Sequence, residues 1–308
     1  MVQVATRERQ TAGALSGLTG LPWRTAPLGA LSLRFEVRCN ELELAERLGS
    51  LLSSLGVGGA ADHRYELVVC DDGRVEVSLD GRMLVHADSR PHAVAWLLWH
   101  ISRAAVEVTS DHLLIHAAAV ESAAGAVLLP APPNGGKTTL TAALVRAGLR
   151  YLTDEVVAIS PATNCVLPFP RPMTLEPGSL RALVDLDPAA PSWWAGSDCE
   201  GTACGDGNAR RWWHVPAENI DPRAVGRPCP PSVVVFPRYQ PGAPTRLEPI
   251  GTADAVLELA TNAFNLDQHG GRGLRNLAGL AGQCSCYRLD VSSLADACGL
   301  VLAVAPGP

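Results

Sequence analysis

The stretch Ala131-Pro-Pro-Asn-Gly-Gly-Lys137-Thr138 constrains this chain more than any other part of it. It follows the pattern G-x-x-x-x-G-K-[ST], with Ala131 in place of the first glycine. A short apolar strand signal, Val127-Leu-Leu, precedes it, and a helical pattern from Leu140 to Ala147 follows, with Gly148 as a C-cap. A helix start presents backbone N–H groups and the positive end of a dipole, so it favours an anion. Gly135 and Gly136 let the backbone approach phosphate oxygens. The candidate cradle is Pro133, Asn134, Gly135, Gly136, Lys137, Thr138 and Thr139, with most donors between Gly135 and Thr139, because proline has no N–H to give. Lys137 can reach β- and γ-phosphates, and the Thr138 hydroxyl can bind Mg²⁺.

Composition sharpens the point. Of 25 basic residues, Lys137 is the one lysine. Arginine is a planar fork and lysine a point charge on a thin stem, so this position is expected to admit only the thin stem. The 308 residues, 47% hydrophobic, suffice for one large or two ordinary domains, and exclude disorder as the main state. A net charge of −6 and the lack of a basic stripe argue against nucleic acid as a partner. The most hydrophobic helical stretch, Ala93 to Val106, is too short for a bilayer and contains His100 and Arg103, so no membrane span is expected. The first residues do not read as a signal peptide, and the 9 cysteines are expected to be reduced thiols in the cytoplasm.

Three regions are expected: a loose leader over 1–30, a small α/β domain over 31–110, and a larger α/β domain over 111–308. In the second, Leu31 to Val37 alternates as a strand, Glu41 to Leu55 is helical, and Tyr65 to Val69 is a strand. Arg74 to Leu79 pairs with Met83-Leu-Val across the Asp80-Gly81 turn, and Pro91 to Val108 is a helix. In the third, strands are expected at His112 to Val120, within Tyr151 to Ile159, at Ser232 to Phe236 and at Tyr287 to Val291. Helices are expected over Ala253–Phe264, Leu274–Gly282 and Leu294–Val304, and residues 187–230 form a long loop or lid.

Asp154-Glu155 follows Lys137 by 17 residues, at the edge of a strand. Ligands of α/β sheets collect where strand ends meet helix starts. There, one carboxylate can hold Mg²⁺ and the other can accept a proton from an attacking hydroxyl. His116 lies inside the apolar run Leu113 to Ala119, where a histidine is either a core residue or a functional one.

These three features, Leu-Ile-His116-Ala-Ala-Ala-Val, the loop, and Arg150-Tyr-Leu-Thr-Asp-Glu-Val-Val-Ala-Ile, resemble in order and spacing the HPr kinase/phosphorylase family, which is related to phosphoenolpyruvate carboxykinases. The resemblance covers residues 112–160 well and 161–308 loosely. It implies a P-loop kinase core, ATP and Mg²⁺, with Asp154 as general base, His116 as its partner, and Thr138 and Glu155 as metal ligands. Glu155 stands where the family has Asp. Arg171, in Pro170-Arg-Pro-Met, matches an arginine near the phosphates. The Glu-Ile-Arg-Gly-Leu-Gly signature of true HPr kinases is absent, and the N-terminal part differs. The chain is more similar to shorter relatives beside modified-peptide pathways, some of which phosphorylate serine on a precursor peptide. The resemblance thus implies a serine kinase acting on a peptide or small protein, in which the forward reaction is favoured over the reverse phosphorylase reaction, and often a homo-oligomer. A nucleotide-binding scaffold in a biosynthetic complex and a kinase of free serine are the alternatives.

Trp193-Trp194 and Trp212-Trp213 flank a polar stretch, where they either clamp a ligand or anchor the loop; Arg210 and Arg211 lie beside them. Cys199, Cys204, His214, Cys284 and Cys286 fit no standard zinc spacing. His269-Gly-Gly-Arg272 reads as a tight turn.

Overall fold

The computed structural model describes residues 21–133, 135–184, 186, 194–197 and 211–305. The chain is α/β, and the described residues form two mixed sheets and one small antiparallel sheet.

The first sheet contains β1 (Trp23–Arg24), β2 (Leu28–Ala30), β3 (Leu33–Cys39), β4 (His63–Val69), β5 (Val75–Leu79) and β6 (Arg82–Ala87), with α1 (Leu42–Leu52) and α2 (Arg90–Val108). Its strand order is β1-β3-β4-β5-β6, and β2 also pairs β3. Period-two alternation buries Leu33, Phe35, Val37 and Cys39 and turns Arg34, Glu36 and Arg38 outward. Asp80 and Gly81 have φ of 50° and 80°, the left-handed pair that a tight hairpin requires. Ser89 caps α2 by accepting from His92 N, and Pro91 occupies the first turn.

Residues 21–30 are not a loose leader. Leu28 and Ala30 are buried by pairing with Phe35 and Leu33. Strands of two and three residues are too short to show a period. Nor is residue 110 a packing boundary. The core between this sheet and its helices includes Leu114, Val156, Ala158 and Phe169 from farther along the chain. The N-terminal part is therefore a layer laid on the larger sheet.

That larger sheet holds β7 (Leu113–Ser122), β8 (Gly125–Pro130), β9 (Arg150–Thr153), β10 (Val156–Ile159), β11 (Val166–Leu167), β15 (Pro231–Tyr239), β16 (Arg246–Pro249) and β17 (Ser285–Val291). The order is β11-β10-β7-β8-β15-β17-β16, with β9 on β7 beside β10. β8, β15 and β17 run parallel. β8 is buried throughout, as a strand covered on both faces must be. α3 (Lys137–Arg146) and α7 (Leu294–Val304) pack on one face, and α5 (Thr252–Thr261) and α6 (Leu266–Gln283) on the other. The His269-Gly-Gly-Arg272 stretch is a break inside α6, at Gly270 (φ 49°, ψ −135°).

The third sheet, β12 (Met173–Leu175), β13 (Trp194–Ser197) and β14 (Arg211–Val215), has β14 in the middle. The expected loop over 187–230 thus contains two strands. Arg-Trp-Trp-His-Val does not alternate in burial, running from exposed Arg211 to buried His214 and Val215, so it carries no strand period. Between β12 and β13 lies the short α4 (Pro177–Ala182). Among the described residues no helix is long and apolar enough to cross a membrane.

Candidate functional site

β8 carries the chain to the carboxyl edge of the parallel strands, where the loop turns back into α3. Ala131 is buried and lies outside the positive-φ region, so alanine replaces the usual glycine without strain. Gly135 N donates to Pro132 O at 3.1 Å, closing a tight turn. A Cβ on Gly135 would lie 2.9 Å from Ala131 Cβ, and Gly136 has φ 80°. Both positions therefore demand glycine. α3 starts after Gly136 with no side-chain cap, which leaves its first N–H groups for a ligand.

Lys137 is 6% exposed. Its Nζ donates to Ala131 O at 2.8 Å and Pro132 O at 3.1 Å, and lies 3.2 Å from His116 Nε2. An ammonium only donates, so Nε2 accepts and His116 is neutral. Burial and the Lys137 charge push the His116 pKa down to about 4. Burial also lowers that of Lys137, against the pull of Glu155 and Asp154. His116 shares a strand face with Leu114 and Ala118, which belong to two different cores. It therefore occupies the seam between the N-terminal layer and the α3–α7 layer.

The acidic pair arises from a break in the ladder. β7 pairs with Thr153 at Ala119 and with Val156 at His116, and Asp154-Glu155 lies unpaired between them in unchanged register. Thr153 Oγ1 accepts the N–H groups of Glu155 and Val156, each at 3.3 Å, which fixes the kink. Asp154 is 2% exposed. Its Oδ2 accepts from Thr138 Oγ1 at 3.1 Å and its Oδ1 from Tyr151 OH at 2.9 Å. Burial raises its pKa, although Arg171, with Nε 3.6 Å from Oδ1, opposes that. Glu155 turns its side chain outward, 40% exposed, with Oε1 3.7 Å from His116 Nε2.

His116, Pro133, Gly135, Gly136, Lys137, Thr138, Thr139, Asp154 and Glu155 line one cleft of about 620 Å³. Asn134 lies outside the described residues. Arg171 is not a lining residue. It sits behind Asp154, and its guanidinium donates to Ser102 Oγ at 3.0 Å and Thr174 Oγ1 at 3.3 Å. Its Nε lies 3.6 Å from the Asp154 carboxylate. His214 is buried, with Nδ1 3.2 Å from Thr174 Oγ1. Tyr151, Ser102 and Thr174 carried no spacing signal in the sequence. Thr139 Oγ1 meets Ser179 Oγ of α4 at 2.7 Å.

The zinc reading finds no support. Cys199 and Cys204 lie outside the described residues, and among the described ones no three of His, Cys, Asp or Glu gather to hold a metal. Trp213 packs against the α3–α7 core and so anchors β14. Trp193, the Trp194 side chain and Arg210 lie outside the described residues, and Arg211 is exposed. No protein-family model matches the chain, and no curated protein matches it in sequence.

Proposed function

We propose that this chain is a cytoplasmic ATP-dependent kinase with a P-loop core, moving the γ-phosphoryl group of ATP to a hydroxyl, the serine of a peptide or small protein. One observation carries the reading. The lone lysine, the uncapped helix start and the acidic pair share one cleft, with Thr138 hydrogen-bonded directly to Asp154.

The Gly135–Thr139 amides and Lys137 would hold the β- and γ-phosphates. Magnesium suits the donors present: a threonine hydroxyl and two carboxylates are hard oxygen ligands, and phosphate oxygens complete such a shell. Thr138 and Glu155 are the residues the resemblance gives it, and the ion would offset phosphate charge. The acceptor oxygen bonds to the γ-phosphorus while its proton passes to a carboxylate. The bond from the γ-phosphorus to the bridging oxygen breaks, and its electron pair stays on ADP.

The resemblance makes Asp154 the proton acceptor. The geometry favours a second reading of that role. Asp154 is enclosed with both oxygens occupied, whereas Glu155 faces the cleft beside His116. Calorimetry with ATP–magnesium and transfer of labelled γ-phosphate to a serine peptide separate the two. If Asp154 is the base, Asp154→Asn binds ATP normally and loses transfer, while Glu155→Gln alters magnesium dependence. If Glu155 is the base, the two phenotypes exchange. ATP binding with no transfer to any hydroxyl acceptor would end the kinase reading.

A further inference from the structure

The cleft has two walls of different chemistry. His116, Asp154 and Glu155 stand on one side of the phosphate-binding turn; Pro237, Tyr239, Val291 and Leu294 line the cleft from other elements. The transfer chemistry above uses none of these four.

The second wall is built by an overrun. β15 last pairs with β8 at Val234↔Leu128, then continues to Tyr239 held by β17, with Tyr239 beside Val291. β8 has by then turned off into the loop, so the end of β15 is left facing the cleft. α7 begins next to it at Leu294. Tyr239 is 62% exposed, a large ring at the cleft's mouth.

We propose that this wall is the base subsite of the nucleotide, with a heteroaromatic base stacked on Tyr239; the inference rests on the nucleotide reading above. The wall lies at the carboxyl ends of parallel strands, where α/β sheets bind ligands. At about 620 Å³ the cleft is in the range of roughly 300–1,000 Å³ that small-molecule sites occupy. The wall offers a ring face and aliphatic side chains, and the polar groups around Val291 and Ser292 are already engaged. Val291 O accepts from Gln240 N at 2.8 Å. Ser292 N and Ser293 N donate to Thr245 Oγ1 at 3.1 and 2.9 Å, and Ser292 Oγ lies 3.2 Å from it. Stacking without edge hydrogen bonds accepts any base with a π-face. The subsite therefore grips a purine without reading which purine it is.

Titration calorimetry on the full chain tests this with three magnesium-loaded probes: ATP, GTP and inorganic tripolyphosphate. Wild type is expected to bind ATP and GTP within a few-fold of each other, and both more tightly than tripolyphosphate. Tyr239→Ala is expected to weaken both nucleotides roughly tenfold or more and leave tripolyphosphate unchanged, while Tyr239→Phe keeps wild-type affinities. The ring is exposed, so its truncation removes little packing, and an unchanged melting temperature verifies that. The proposal is overturned if Tyr239→Ala binds ATP as wild type does, or loses tripolyphosphate equally. An ATP preference above tenfold over GTP overturns recognition by stacking alone. Failure of wild type to bind any of the three probes overturns the nucleotide reading beneath it.

Discussion

Lys137 shows how much one side chain can be asked to do. Its ammonium is held by two loop carbonyls and faces a neutral imidazole. The site is buried, with two carbonyls and one imidazole nitrogen placed around a single point charge, and a planar forked guanidinium does not match that arrangement. Lys137→Arg keeps the charge yet is expected to lose ATP binding by about tenfold or more in calorimetry, close to the loss in Lys137→Ala. Arginine that binds as well as lysine would show that charge alone matters. At this scale the sequence was legible where a residue was rare or patterned: the lone lysine, the glycines and the acidic pair. Ser102 was not, because a partner supplied across a fold carries no spacing. Arg171 illustrates the difference, since its position near the site was readable and the direction of its side chain was not.

Among elements, strong periodicity was readable and short strands were not. β3, α1, α2 and β17 follow from alternation or helical spacing, whereas β1, β2, β12 and β13, of two to four residues, offer too few positions to reveal a period. The Asp80-Gly81 hairpin needs its left-handed residues. Gly81→Val, at φ 80°, is expected to cost roughly 1–2 kcal/mol in urea unfolding, without changing ATP affinity. β14 supplies a pH dependence. Burial, and then the Arg171 charge, push the His214 pKa down to about 3. The unfolded chain then binds one more proton than the folded chain between about pH 6.5 and about 3. This contribution is complete above about pH 6.5 and is lost as pH falls through that window, by up to about 1.4 kcal/mol per unit. Urea midpoints are expected to fall between pH 7.5 and 5, and less steeply in His214→Gln. A profile unchanged by that substitution would mean that folding does not shift the His214 titration.

For the whole molecule, layering is the main fact that residue patterns concealed. Each region's elements were visible, but burial of Leu114, Val156, Ala158 and Phe169 under the N-terminal sheet is a long-range contact. A fragment starting at residue 110 exposes that apolar surface, so it is expected to aggregate and to show no cooperative melt; a soluble, folded fragment would contradict the shared core. Leu48→Ala, in α1 and not lining the cleft, is expected to cost about 2–5 kcal/mol by urea denaturation through its cavity.

The Arg171 guanidinium reaches Ser102 in α2, Thr174 in β12 and Asp154 at the cleft. One planar cation is thus the joint at which three structural layers meet. A chimera that borrows its chain through the end of α2 at Val108 from elsewhere inherits a geometric obligation: it must return a hydroxyl at position 102 to that joint, or the aim of the buried carboxylate drifts with the graft.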